Sequence, residues 1–304
     1  MSKFHTLEKG LVVASFGRHY LIETPEGRRI PCHPRGKKSD CVVGDRVRWL
    51  VTNPSGTEGV IEKAEPRRNL LFRQDAFKTK AFASNLDQIL VMVASVPVFS
   101  ESQLARALIA AEHAQIYAHI VLNKTDRPDI EAARVRLAPY ISMGYPVIQM
   151  TLKTDPQAAS ETLQTRLNGK TTLVLGPSGA GKSTLINLMA PEAQAQVGEI
   201  SKALQSGKHT TTHTQWYWLD NQRQSALLDS PGFQEFGLHQ VSAQDLAKLM
   251  PDLAPLTTEC KFYNCTHQHE PGCGVRAALK RGGLSASRYR IYSEIWRELS
   301  SKQG

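Results

Sequence analysis

The feature of this chain that most constrains its fold is an order of motifs. The β-favouring run Thr171–Leu175 leads into Gly176-Pro-Ser-Gly-Ala-Gly-Lys-Ser183 and then into the helix-favouring stretch Thr184–Met189. The pattern G-x-x-x-x-G-K-[ST] between a strand and a helix is a phosphate cradle. Its glycines let backbone N–H groups wrap the phosphates, and the helix N-terminus adds the positive end of its dipole. In such a cradle Lys182 supplies a point charge at the β- and γ-phosphates, and the Ser183 hydroxyl is a ligand for Mg²⁺. Asn123-Lys-Thr-Asp126 follows the apolar run His119–Leu122. A carboxylate there can accept hydrogen bonds from N1–H and from the exocyclic amine of guanine, two donors that adenine lacks. Asn123 can bond the other base edge, and the Lys124 stem can lie along the ring plane. The base-reading element thus precedes the phosphate cradle by about fifty residues.

Asp229-Ser-Pro-Gly232 ends a third apolar run, Ala226–Leu228. Asp229 there can hold Mg²⁺ through water, and Gly232 can offer its N–H to the γ-phosphate. Between cradle and Asp229 lies Gly207-Lys-His-Thr-Thr-Thr212, where one hydroxyl of Thr210, Thr211 or Thr212 is expected to complete the Mg²⁺ shell; the alternative is a Thr-rich edge strand. In Ras-like proteins the base-reading element comes after the phosphate loop. Here the chain soon enters a Cys/His region beyond Gly232, so the upstream strands must complete the sheet. The expectation is a circularly permuted GTPase whose γ-phosphate-sensing segment leads directly into the C-terminal region. Phe233 stands where Ras-like enzymes carry a water-orienting glutamine, so another group must position the water: His209 or a partner-supplied group.

The rest of the chain frames this unit. Residues 1–65 read as five short strands (Leu11–Ser15, His19–Glu23, Arg29–His33, Arg46–Val51 and Gly59–Lys63), which suits an OB-fold or an SH3-like barrel. From Leu86 strands alternate with helices: strands Gln88–Ala94, His119–Leu122 and Pro146–Met150, helices Gln103–Gln115 and Ile130–Tyr140. That alternation implies a parallel α/β sheet. The expected division is 1–65 barrel, 66–80 basic linker, 81–232 nucleotide-binding domain and 233–304 C-terminal domain. Over 304 residues, 37 Lys+Arg against 28 Asp+Glu leave a net charge of +9. The 81–232 segment is neutral and the flanks hold the excess, which points to a polyanionic partner. The basic segments are Arg67, Arg68 and Arg73 with Phe72, and Arg276, Lys280, Arg281, Arg288 and Arg290 with Tyr289, Tyr292 and Trp296 on a helix over Ser285–Ser300. The longest apolar stretch, Ile89–Phe99, is interrupted by Ser95 and Pro97 and falls short of the ~20 residues of a membrane span. With no apolar leader at the N-terminus, a cytoplasmic location without membrane association is expected.

Cys260, Cys265, His267 and Cys273 form C-x4-C-x-H-x5-C. Three thiolates and an imidazole suit one tetrahedral, structural Zn²⁺ per chain, and His269 competes with His267 on spacing alone. Cys32 and Cys41 read as small apolar residues of the barrel.

The permuted order, together with GPSGAGKSTLIN, VGEIS…GKHTTTHT, LLDSPGFQEFGL and the Cys/His cluster, resembles the ribosome-small-subunit-dependent GTPase A family along essentially the whole chain. The resemblance implies a multidomain architecture: an N-terminal all-β OB-fold-like barrel, a central α/β circularly permuted P-loop GTPase and a small C-terminal zinc-binding domain with helices. It implies a monomeric GTPase, cycling between GTP and GDP, that acts late in maturation of the 30S ribosomal subunit, binds its 16S rRNA and is stimulated by it. It assigns GTP binding to Asn123, Lys124, Asp126 and to Gly176, Pro177, Ser178, Gly179, Ala180, Gly181, Lys182, Ser183 and Thr184. The motif chemistry itself places catalysis on Lys182, Asp229 and Gly232, with Thr211 and His209, and Mg²⁺ on Ser183, Thr211 and, through water, Asp229. The resemblance assigns Zn²⁺ to Cys260, Cys265, His267 and Cys273. It assigns no role to Thr151-Leu-Lys153, which lacks a distinctive Ser-Ala-Lys. A large-subunit factor and an RNA-binding module with an idle nucleotide site are the competing readings.

Overall fold

The computed structural model describes residues 7–36, 40–74, 79–191, 214–230 and 238–301. Five strands come first: β1 (Glu8–Phe16), β2 (His19–Glu23), β3 (Arg29–Pro34), β4 (Arg46–Val51) and β5 (Gly59–Ala64). They pair in the order β1-β2-β3-β5-β4, and β4 returns to β1, so the sheet closes on itself. β3 and β5 run parallel while the other pairs are antiparallel. A meander whose fifth strand inserts between the third and fourth is OB-fold connectivity, which decides between the two barrels. Alternate residues of these strands (Val12, Ile22, Ile30, Val47 and Ile61) point inward around Trp49 to form a separate small core.

β6 (Leu70–Gln74) and β7 (Thr79–Ser84) make a two-stranded hairpin, so the segment expected as a linker is partly structured. Asp45, fully buried at the foot of the barrel, holds the pieces together. Its carboxylate accepts from Arg67 Nε and Nη2 at 2.7 Å each, from Ser84 Oγ at 2.7 Å and from the Val42 amide at 2.9 Å. Arg68 similarly donates to Asp87 and to the Asn85 carbonyl. The connector arginines 67 and 68, expected to reach out to a polyanion, are therefore spent on internal ion pairs.

The remaining strands are β8 (Gln88–Ala94), β9 (Tyr117–Asn123), β10 (Val147–Gln149), β11 (Thr171–Leu175), β12 (Gln215–Trp218) and β13 (Ala226–Asp229), in the spatial order β10-β9-β8-β11-β13-β12. All pairings except β12–β13 are parallel. Every residue of β8 is buried, as a central parallel strand covered on both faces requires. On one face lie helices α1 (Glu101–His113) and α2 (Ile130–Ser142); on the other lie α3 (Pro156–Leu167) and α4 (Lys182–Met189). The C-terminal helices Gly274–Lys280 and Ala286–Ser301 join the first face. Met250, Ile291 and Ile295 share one core with Leu104 and Leu108 of α1. Arg288 of the last helix is buried, clasps Asp252 through Nε (2.7 Å) and Nη2 (3.0 Å), and stacks over Tyr140. It is a packing residue, not the surface cation expected from the sequence.

β12 lies beyond the Gly207–Thr212 block, the only stretch between cradle and Asp229 expected from the sequence as an edge strand. It lies at the outer edge of the parallel sheet and pairs with β1 of the barrel at Ala14↔Gln215, so barrel and sheet share one ladder. Trp218 Nε1 donates to the buried Glu23 at 2.7 Å, and Arg223 donates to the Pro25 carbonyl at 3.1 Å, closing the junction. No helix among the described residues is long and apolar enough to cross a membrane.

Candidate active site and metal centre

β8 leads outward to β9 and β10 while β11 leads the other way to β13, so the sheet changes direction between β8 and β11. A crevice at the carboxyl ends of strands at such a switch point is where α/β sheets bind ligands. A cleft of about 490 Å³ opens there, lined by Asn123, Lys124, Asp126, Thr151, Leu152, Lys153, Ser178, Gly179, Gly181, Lys182, Ser183 and Thr184. The two motifs separated in sequence are thus brought to one cavity.

The phosphate loop is built by close backbone approach. Gly176 has φ +150°, and a Cβ there would stand 2.4 Å from the Met92 carbonyl oxygen. Gly181 has φ +110°, and its Cβ would stand 2.2 Å from Asn123 Nδ2. Gly181 caps α4, whose first residue is Lys182. Lys182 Nζ donates to the carbonyls of Gly176 (2.6 Å) and Pro177 (3.1 Å). Burial pushes the ammonium below its ordinary pKa, and the charge of Asp229 acts the other way. Asp229, the last residue of β13, is buried; desolvation raises its carboxyl to about 6 against the opposing pull of Lys182 and a backbone hydrogen bond at Ser230. A buried carboxylate that feels the charge of the half-buried Lys182 suits a divalent cation that would relieve its desolvation.

Asn123 has a role that motif spacing does not reveal. It is buried; its Nδ2 donates to the Ala180 carbonyl (2.8 Å) and its Oδ1 accepts from the Leu152 amide (3.2 Å). One side chain therefore ties the base-reading turn to the phosphate loop and to the loop after β10. Asp126 is exposed at the rim. Thr151 Oγ1 donates to its Oδ1 at 2.8 Å and contacts Thr154 Oγ1 at 2.6 Å, and the Thr151 hydrogen bond holds the carboxyl below its ordinary pKa. Thr151-Leu-Lys153, assigned no role from the sequence, is thus part of the cleft. Its signal is positional: it follows the third strand of the unit, and its chemistry is partly in a backbone N–H. Lys124 adopts φ +62° and donates to the Val96 carbonyl at 2.6 Å. Gly207, Lys208, His209, Thr210, Thr211, Thr212, Gly232 and Phe233 lie outside the described residues.

The second site is in the C-terminal region. One donor atom each from Cys260, Cys265, His267 and Cys273 lies within 4.8 Å of the others. His267 Nδ1 stands 3.5 Å from the sulfurs of Cys260 and of Cys273, which are 4.0 Å apart. Tetrahedral zinc with Zn–S bonds of about 2.3 Å sets two sulfurs about 3.8 Å apart, so the donor set fits that ion. His267 is buried and belongs to the cluster, whereas His269 is exposed and does not. The Gly274 amide donates to Cys260 Sγ (3.3 Å) and the Arg276 amide to Cys273 Sγ (3.4 Å), an outer shell that favours thiolates. Tyr289 and Tyr292 donate to the carbonyls of His267 (2.7 Å) and Thr266 (2.8 Å), fixing the loop to the last helix.

A parallel sheet with its phosphate-loop strand in the centre, its base-reading strand upstream and both motifs lining one cleft defines a circularly permuted P-loop GTPase. A sequence model of the RsgA GTPase family matches residues 64–239. Among similar proteins is the Small ribosomal subunit biogenesis GTPase RsgA of Variovorax paradoxus (strain S110), 58% identical over 302 residues, covering 98% of this chain and 94% of that one. The protein of the same name from Paraburkholderia phymatum is 48% identical, covering 96% and 92%. Of solved structures, YjeQ from Thermotoga maritima superposes with a TM-score of 0.70 at 29% identity, covering 96% of this chain and 98% of that one. YloQ, a circularly permuted GTPase, superposes at 0.68 with 24% identity, covering 99% and 98%, and shows the shared fold. The chain belongs to the RsgA GTPase family and is a GTP-hydrolysing enzyme.

Proposed function

We propose that this chain binds the small (30S) ribosomal subunit through its 16S rRNA late in assembly, that the subunit stimulates its GTPase, and that it works in the cytoplasm as a monomer. The observation carrying this reading is the 58% identity, over nearly the full length of both chains, to a protein named for small ribosomal subunit biogenesis. Residues 1–65 serve as an RNA-facing barrel, 66–80 as the basic connector, 81–232 as the GTPase and 233–304 as the zinc-binding unit.

Within the cleft, Asp126 reads guanine from a carboxylate already aimed by Thr151, and Lys124 flanks the base. Asn123 keeps base site and phosphate site at a fixed separation through its two backbone partners. The loop from Gly176 to Thr184 holds the phosphates, and Lys182 exchanges its two carbonyl partners for phosphate oxygens. Ser183, Asp229 through water, and Thr211 would hold Mg²⁺, which would supply positive charge against the phosphates. Gly232 and His209 act at the γ-phosphate and the attacking water. Zinc at Cys260, Cys265, His267 and Cys273 is structural, since four protein donors leave no open position. The core shared by α1 and the last helix supports coupling of nucleotide state to the C-terminal unit.

GTP turnover measured with purified 30S subunits, with 50S subunits and with neither tests this. A large increase with 30S alone is expected; equal turnover in all three would overturn it, and stimulation by 50S alone would point to a large-subunit factor.

A further inference from the structure

Between zinc-cluster residues Cys260 and Cys265 the chain puts out a four-residue tip, Lys261-Phe-Tyr-Asn264. Tyr263 at its apex is fully exposed, and Phe262 is 41% exposed. Tyr263 makes no hydrogen bond or ring contact with any described residue, while Lys261 Nζ lies 5.6 Å from the centre of the Phe262 ring. The tip is not slack: the Lys261 amide donates to the Gly272 carbonyl at 3.0 Å, and the Cys265 amide to the Phe262 carbonyl at 3.2 Å. Folding and packing do not account for a full aromatic ring held in water by a loop fixed at both ends.

We propose that Tyr263 is a stacking platform for an unpaired nucleobase of the RNA that this chain binds; the inference rests on the small-subunit reading above. The surrounding charge favours a nucleic acid over a protein partner. Gly272, on which Lys261 packs, lines a depression with Arg276 and Lys280. The acidic groups there are already engaged: Glu259 pairs with Arg281, and the Glu270 carboxylate accepts from Thr266, Gln268 and His269. Lys261 and Lys280 are exposed and have no carboxylate partner among the described residues. An exposed ring two residues from Lys261, with Lys280 in the depression that Gly272 lines beside Lys261, offers a π-face to a base and charge to its phosphates, the combination that single-stranded RNA sites use. A protein-docking surface would present a contiguous apolar patch instead.

The test uses the full chain, zinc-loaded, and purified 30S subunits. Loss of one stacked base corresponds to about 5- to 150-fold weaker binding. Tyr263→Ala and Tyr263→Leu are each expected to weaken cosedimentation in that range, while Tyr263→Phe and Tyr263→Trp bind as the parent does. Zinc content and GTP turnover without subunits stay unchanged in all four. With Tyr263→p-benzoylphenylalanine, irradiation is expected to cross-link the chain to an rRNA nucleotide. Parent-like binding by Tyr263→Ala or Tyr263→Leu, or a cross-link to a ribosomal protein, overturns the proposal. Failure of the parent chain to bind 30S at all would instead refute the small-subunit reading, and this inference with it.

Discussion

At the scale of single residues, the cleft is governed by side chains whose partners are already in place. Asp126 is an acceptor on both oxygens, so Asp126→Asn replaces an acceptor with a donor facing the guanine amine. Losing one or two charge-assisted hydrogen bonds, at roughly 1.5–3 kcal/mol each, should weaken GTP by ten- to a thousand-fold or more. The same variant should gain xanthosine triphosphate, whose carbonyl replaces that amine; competition binding with the two nucleotides checks this. Asp229 is a different case, because burial makes its charge costly to the fold. A carboxyl raised from 3.8 to about 6 costs the fold nothing in its neutral form, so its penalty is absent well below pH 3.8, grows as pH rises from 3.8 and is complete above about pH 6. Asp229→Asn removes a cost of about 3 kcal/mol at neutral pH. In nucleotide-free, Mg²⁺-free buffer the variant should melt higher than the parent at pH 7.5 and converge with it as pH falls below 3.8, while its GTP turnover falls by at least a hundred-fold. Motif spacing led to these residues because their chemistry is in their side chains. It missed Thr151 and Leu152, which act through a hydroxyl aimed at a neighbour and through a backbone amide, and it missed the bridging geometry of Asn123.

At the scale of elements, strands and helices with a single pattern were legible, and those defined by a distant partner were not. β8 and β11 announce themselves as continuous apolar runs. β12 is only four residues long and owes its place to β13 on one side and the barrel on the other. The same limit applies to charge: Arg288 reads as part of a basic helix until Asp252 and Tyr140, distant in sequence, close around it. The metal loop was legible in its ligands, but its attachment was not. Cys273 caps the helix Gly274–Lys280, and Tyr292 on the last helix holds the Thr266 carbonyl, so the cluster sits within the core that reaches α1. Removing zinc with a chelator, or Cys260→Ser, is therefore expected to loosen more than a loop. A loss of ~3–5 kcal/mol would lower Tm by roughly 10 °C at about 2–4 °C per kcal/mol for a chain of this size. Differential scanning calorimetry with and without stoichiometric zinc checks it.

At the scale of the whole molecule, the barrel is more than an appended module. Its β1 pairs with β12 at Ala14↔Gln215, and Trp216-Tyr-Trp218 of that strand is a short, aromatic, β-favouring stretch. A chain begun at residue 66 would keep the phosphate cradle, the base-reading turn and the metal loop, yet would leave that strand unpaired on one side. Bare edges of this composition template further strands. Such a truncation should bind GTP at high dilution but self-associate as concentration rises, which light scattering over a dilution series reads directly. Replacing Trp218 with lysine in the truncated chain should suppress the association. On that expectation the barrel doubles as an intramolecular cover, letting the full-length chain expose its nucleotide machinery without exposing a strand edge.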